Sequence, residues 1–122
     1  MRENILRDKS FAFALRIIEL RRLLVNQYRE YELSKQILRS GTSIGANIEE
    51  SVHAQSTPDF IHKLSIAQKE ANETNYWLRL LRESGSLDAA FANELLADCD
   101  EIQRILTASI KTLKQKVGMK NS

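Results

Sequence analysis

Ser34-Lys35-Gln36-Ile37-Leu38-Arg39-Ser40-Gly41-Thr42-Ser43-Ile44-Gly45-Ala46-Asn47-Ile48-Glu49-Glu50 is the stretch on which the fold turns. Leu33, Ile37, Ile44 and Ile48 recur at spacings of 4, 7 and 4, the period of one face of an α-helix. Between them lie the small residues Ser40, Gly41, Ser43, Gly45 and Ala46. A glycine inside a helix costs about 1 kcal/mol relative to alanine, so two glycines raise the alternative of a broken helix. The apolar register continues through both without a slip. The reading is therefore one unbroken helix over about residues 32–53, whose small face lets another backbone come close.

Three more segments have helical periodicity. The first helix is expected over about 10–28, with Ser10 as N-cap. Phe11, Leu15, Ile18 and Val25 form one stripe on it, and Phe13, Ile17, Leu20 and Leu24 form a second beside it. So wide an apolar face suits a helix with more than one neighbour. Thr57 as N-cap, Pro58 at the first helical position and Asp59 in the first turn signal the start of the third helix, about 57–82. Its Phe60, Leu64, Ala67, Ala71, Thr74, Leu78 and Leu81 alternate spacings of 4 and 3, a bundle seam. Gly85 is read as its C-cap and Ser86 as the next N-cap. The fourth helix, about 87–117, keeps the seam through Leu95, Cys99, Ile102, Leu106, Ile110, Leu113 and Val117. A frayed tail is expected over 118–122. Short connections favour antiparallel neighbours, so the expected fold is all-α: a single up-down-up-down four-helix bundle covering 1–122.

Composition agrees with this. The chain has 122 residues, 43% of them hydrophobic and 28% charged, with one Pro and four Gly. That is the balance of one soluble helical domain, and it excludes a turn-rich β-sandwich, collagen and low-complexity disorder. The one cysteine, Cys99, allows no intramolecular disulfide, and a reducing cytoplasm is expected. The opening MRENILRDKS has no apolar run of the signal-peptide kind, and no membrane partner is expected.

Charge is uneven along the chain. Residues 1–39 hold nine Lys or Arg against five Asp or Glu, residues 40–103 hold four against eleven, and residues 104–122 hold five against none. An up-down-up-down bundle brings the two basic ends to one pole. Arg2, Arg7, Lys9, Lys111, Lys114, Lys116 and Lys120 are thus the candidate contacts for RNA or DNA.

Two polar stripes stand out against the apolar pattern. Gln36, Arg39, Ser43, Asn47 and Glu50 recur at 3, 4, 4 and 3 on the second helix, and Glu70, Glu73 and Trp77 at 3 and 4 on the third. Spacing alone allows two solvated faces, or a network between helices or subunits that fixes register. Buried Arg and Glu would require mutual pairing in the second case.

The run from Ser34 to Glu50 resembles the signature of the bacterial four-helix-bundle proteins named for reading frames in 23S rRNA intervening sequences. So do Asp59-Phe60-Ile61-His62-Lys63-Leu64-Ser65-Ile66-Ala67, Lys69-Glu70-Ala71-Asn72-Glu73-Thr74, Tyr76-Trp77-Leu78 and the opening Lys9-Ser10-Phe11-Ala12-Phe13-Ala14. The resemblance covers about residues 8–87. One departure is Ser51, where the family usually has Gly, which bears on the exit of the second helix. The resemblance implies an antiparallel bundle, a homo-oligomer of the kind that in several members looks like a pentameric ring, and no catalytic residues. It also implies kinship with the accessory subunit of diversity-generating retroelements, a basic pentamer that binds nucleic acid and a reverse transcriptase. It makes the network the preferred reading of the Asn47 stripe.

Other chemistry finds little footing. Glu50-x-x-His53 and Asp59-x-x-His62 have the spacing of di-iron ligand pairs, but both flank a turn and lack the extra carboxylates. No Arg precedes either histidine at the distance a helical-bundle nuclease needs. Ser40 and Ser43 have no nearby His or Lys base on their helix. Cys99 lies on the seam and reads as a core residue. Gly41-x-x-x-Gly45 lacks the apolar 20-mer of a membrane dimer motif. Trp77 reads as an interface or core aromatic, with base stacking as the alternative. The expected function is a non-enzymatic homo-oligomeric scaffold, without cofactor or metal, that contacts RNA or DNA at its basic pole. The alternative is a protein-interaction scaffold that binds no nucleic acid.

Overall fold

The computed structural model describes residues 2–118. Among them are four helices: α1 Arg2–Tyr28, α2 Glu32–Ser51, α3 Thr57–Glu83 and α4 Ala89–Lys116. Consecutive helices pack side by side, and α1 closes the square against α4 with the lightest of the four contacts. This is the up-down-up-down bundle expected from the periodicity.

The expected start of α1 was eight residues too late. Leu6 is buried and extends the inner stripe of Phe13, Ile17, Leu20 and Leu24. Ser10 is therefore not an N-cap: it lies buried in mid-helix and donates its hydroxyl to the Arg7 carbonyl at 3.3 Å. The charges of Arg7, Asp8 and Lys9 sit on the flanks and outer face and do not interrupt the helix. The second apolar stripe of α1 points away from the core, with Phe11 64% and Leu15 51% exposed.

α1 ends through Arg29, a non-glycine residue in the left-handed region (φ 52). The start of α2 is capped by the preceding residue: the Leu33 and Ser34 N–H groups donate to the Glu30 carboxylate, while the N-cap Tyr31 makes no side-chain bond. α2 runs unbroken through Gly41 and Gly45 and ends at Ser51, two residues earlier than expected. Ser51 is buried and donates to the Ile48 carbonyl at 2.6 Å. The next two amides, of Val52 and His53, turn back onto Glu49 and Glu50.

Two further caps differ from expectation. Ser56, not Thr57, opens α3: its hydroxyl accepts from the Asp59 N–H, and the Asp59 carboxylate accepts from the Gln55 N–H, each at 3.2 Å. This resembles a capping box one residue upstream of the expected cap, with the acid reaching the amide of the residue before the cap rather than that of the cap itself. α4 is capped by Asp88, not Ser86, through the Phe91 N–H at 3.2 Å. The helix starts later because Leu87 must first enter the core, where it is 3% exposed. α3 ends as its sequence implies, with Gly85 at φ +77, just past the cap residue Ser84. The Ser86 N–H reaches the Leu81 carbonyl at 3.0 Å and the Gly85 N–H the Arg82 carbonyl at 3.2 Å. That paired pattern is the Schellman motif.

The two α2 glycines are not equivalent. A β-carbon at Gly41 would stand 2.8 Å from Ile17 Cγ1 and 2.9 Å from Cγ2. These atoms branch directly from the Ile17 β-carbon and turn away poorly within a helix. A β-carbon at Gly45 would meet the Ser10 carbonyl oxygen at 3.4 Å, an ordinary contact. On its other flank α2 is again small, with Ser40 Oγ and Thr74 Oγ1 in buried hydrogen-bond contact at 2.9 Å. Gly41→Ala should therefore destabilise the bundle by about 1–3 kcal/mol through overpacking. Gly45→Ala should be neutral or gain up to about 1 kcal/mol from helix propensity. Urea unfolding of both variants checks this, and equal losses at the two sites would contradict it.

Candidate nucleic-acid interface

The start of α1, the α2–α3 turn and the end of α4 share one pole, as the Arg7–Glu49 and Lys9–Glu101 contacts show. The basic residues brought there are not all available. Arg7 grips Glu49 with two bonds of 3.1 Å, and Lys9 binds Glu101 at 2.8 Å. The Arg7 guanidinium, chiefly by hydrogen bonding, holds the Glu49 carboxyl below its usual range. Lys111 and Lys116 are exposed and Lys114 is half-buried; none has an ion pair among the described residues. The Arg2 side chain and Lys120 lie outside the described residues.

The polar stripes of α2 and α3 meet along a solvent-lined seam. Arg39 bonds Glu70 at 3.2 Å and also contacts Glu73, and Glu50 reaches Lys63 at 3.7 Å. Arg39 is 51% exposed while Glu70 is only 15% exposed, so the acid is sheltered and the cation covers it. Ser43 and Asn47 turn back onto their own helix: Ser43 donates to the Arg39 carbonyl at 2.6 Å and Asn47 to the Ser43 carbonyl at 2.9 Å. Gln36 is exposed, with no partner among the described residues. The stripe thus crosses between helices only at Arg39 and Glu50.

Two other seams have polar chemistry that sequence reading missed. Across α1–α4, Arg16 binds Asp98 at 3.1 Å and Glu94 at 3.3 Å, and its guanidinium lies 5.5 Å from the Phe91 ring centre. Across α3–α4, Gln68 donates to Thr107 at 2.7 Å, Gln103 to Asn72, Asn75 to Asp100 at 3.3 Å, and Arg82 to Asn93 at 2.8 Å. These residues flank the seams. Their pairing becomes visible only once the antiparallel register is set.

Among the described residues no three His, Cys, Asp or Glu side chains converge as a metal site. Glu50 is engaged with Lys63, Asp59 with a backbone amide, and His53 and His62 face solvent. Cys99 is fully buried and donates to the Ala71 carbonyl at 3.3 Å; burial, with lesser help from Asp100 and Asp98, pushes its thiol up to about 12. That is a core residue, as its place on the seam implied. Trp77 is half-buried against the core, edge-on to Tyr76 at 5.4 Å. No described helix is long and apolar enough to cross a membrane.

The family model described as 23S rRNA-intervening sequence protein matches residues 2–108. The chain belongs to that family. No curated protein matches the chain. A similar solved structure is that of a protein of unknown function from the S23 ribosomal protein family of Bacteroides thetaiotaomicron VPI-5482. It is 51% identical, covers 91% of this chain and 99% of its own, and superposes with a TM-score of 0.89. For this member of the 23S rRNA-intervening sequence protein family, the quoted motif residues Asn47, Glu70 and Glu73 sit at or beside the α2–α3 seam. If the seam sets register more than it adds stability, a double-mutant cycle of Arg39→Ala and Glu73→Ala should give a coupling of no more than about 1 kcal/mol, as half-exposed pairs do. A coupling of several kcal/mol would mark the seam as a main source of stability.

Proposed function

We propose that the chain is a non-enzymatic, cytoplasmic homo-oligomeric scaffold, a pentamer by family resemblance, that binds RNA or DNA through cations near the α4 end of the bundle. The observation that carries the nucleic-acid reading is the run Lys111, Lys114 and Lys116, which has no carboxylate partner among the described residues. The oligomer reading is supported by the outward apolar stripe of α1. Phe11 and Leu15, with half-buried Ile18 and Val25 on the same face, line a strip that one bundle core does not use.

A second reading, a protein-interaction scaffold without nucleic acid, is favoured by one specific observation. Arg7 and Lys9 are already neutralised by Glu49 and Glu101, so the pole is less basic than its sequence. Binding measured over several salt concentrations separates the two readings. Phosphate contacts give an affinity that falls steeply with salt and carries no base preference.

Light scattering at micromolar concentration should return a multiple of 14.0 kDa. Phe11→Asp combined with Leu15→Asp should return the single-chain mass with helicity kept. A single-chain mass for the parent would refute the oligomer. Replacing Lys111, Lys114 and Lys116 with Gln should weaken nucleic-acid binding and flatten the salt slope by about one unit per lost contact. A triple variant that binds as tightly as the parent, with the same slope, would favour the protein-only scaffold.

A further inference from the structure

The described cations divide by what they touch. Arg7, Lys9, Arg16, Arg39, Lys63 and Arg82 each bond a carboxylate. Ten described cations bond none: Arg21, Arg22, Arg29, Lys35 and Lys116, and the five that share the α3–α4 face, Lys69, Arg79, Arg104, Lys111 and Lys114. The spacing of these five puts them on facing flanks. Arg104, Thr107, Lys111 and Lys114 recur at 3, 4 and 3 on α4, and Lys69, Asn72, Tyr76 and Arg79 recur at 3, 4 and 3 on α3. The rungs between these flanks are the Gln68–Thr107, Asn72–Gln103 and Asn75–Asp100 hydrogen bonds. They are neutral except for Asp100. On α4 the small side chain of Ala108 leaves a shallow depression between Arg104 and Lys111.

We infer that a single-stranded polynucleotide lies along this α3–α4 face, with its phosphates on the five cations and its bases toward the amide rungs. The inference rests on the nucleic-acid reading above and moves the contact from the pole onto the side of the bundle. The charge pattern selects a polyanion: this face holds five cations against the one acid Asp100, whereas on the α1 side of α4 three carboxylates, Glu94, Asp98 and Glu101, meet two cations, Arg16 and Lys9. The width selects one strand. Packed helices lie about 8–10 Å apart, narrower than a duplex. Along α4 the cations from Arg104 to Lys114 span about 15 Å at the helical rise. At the far end the exposed Tyr76 ring, with the Arg79 guanidinium 5.8 Å from its centre, offers a platform for a stacked base. Sequence reading placed Lys111 and Lys114 in the interface but not Lys69, Arg79 or Arg104, because without the α3–α4 register these three belong to no cluster.

The test is fluorescence anisotropy of the full chain with end-labelled oligouridylate and oligothymidylate over a salt series. Lys69→Gln combined with Arg104→Gln, both away from the pole, should lose affinity several-fold at low salt. Its slope should flatten by about 1.4, at roughly 0.7 per phosphate contact on a single strand. Asp100→Asn keeps the acceptor for Asn75 and removes the one acid, so it should bind more tightly than the parent. Arg7→Gln combined with Lys9→Gln should bind like the parent. Binding of either oligonucleotide with this variant pattern supports the inference, and tighter binding of the RNA assigns its 2′-hydroxyls a role. If the Lys69/Arg104 variant binds like the parent while the Lys111/Lys114/Lys116 variant weakens, the contact is at the pole; this inference then falls and the nucleic-acid reading stands. If polyglutamate displaces the oligonucleotide at equal charge concentration, the face recognises acidic chains and the inference also falls. If the parent binds neither oligonucleotide at low salt, both readings fall.

Discussion

Ile17 fills the space that a β-carbon at Gly41 would need, and α1 can approach α2 this closely only because that carbon is missing. The contact matters beyond its size because of how lightly α1 is held elsewhere. α1 has two neighbours, and its packing on α4 is the lightest in the bundle. On the α4 side it shares the buried core, and the edge of that contact is closed by surface charge, with Lys9 on Glu101 and Arg16 on Asp98 and Glu94. Exposed pairs of that kind contribute less than about 1 kcal/mol each. The more extensive of its two contacts is with α2, and that contact depends on the small face of α2. α2 is small on its other flank too, where Ser40 meets Thr74, so it is the thin central element between two larger neighbours. With the inner stripe of α1 turned to α2 and the core, Phe11 and Leu15 are left facing out.

The four seams differ in their polar edges, and the differences make the antiparallel register specific. α1–α2 and α1–α4 are bridged by opposite charges, α2–α3 by an arginine on sheltered acids, and α3–α4 by neutral amides and hydroxyls. A slip of one helix would separate these partners and leave Glu70, only 15% exposed, without its cation. The same division sets the outer field. Where ion pairs close a seam the charge is cancelled locally. Where amides close it the nearby lysines and arginines keep their charge.

Much of this was legible in the chain. The 4-3 spacing of Phe60, Leu64, Ala67, Ala71, Thr74, Leu78 and Leu81 placed the α3 seam, and all of these residues are buried except Phe60 at its start, which is partly covered. The α4 seam failed only at its end, where Leu113 is partly covered and Val117 is 41% exposed, because the neighbouring helices begin there. Cap residues were harder. Ser56 and Thr57 are both competent caps, and only the reach of Asp59 back to Gln55 selects the first. Ser86 looked like a cap, but the demand of the core for Leu87 moved the start to Asp88. The start of α1 was hidden by charges around Leu6, the one residue there that shows the core continuing. The candidate contacts were read as a sum of charge at one pole. Periodicity within single helices carries no information about pairing across helices, so it showed neither the neutralised Arg7 and Lys9 nor the unpaired Arg104.

The dependence of α1 on the small face of α2 is tested most directly by native-state hydrogen exchange on the Gly41→Ala variant. The account predicts that amides of α1, from Leu6 to Leu24, exchange through a partial opening well below the global unfolding free energy. Those of α3 and α4 keep the protection set by global unfolding. A uniform loss of protection over all four helices, with α1 no more labile than α4, would contradict it.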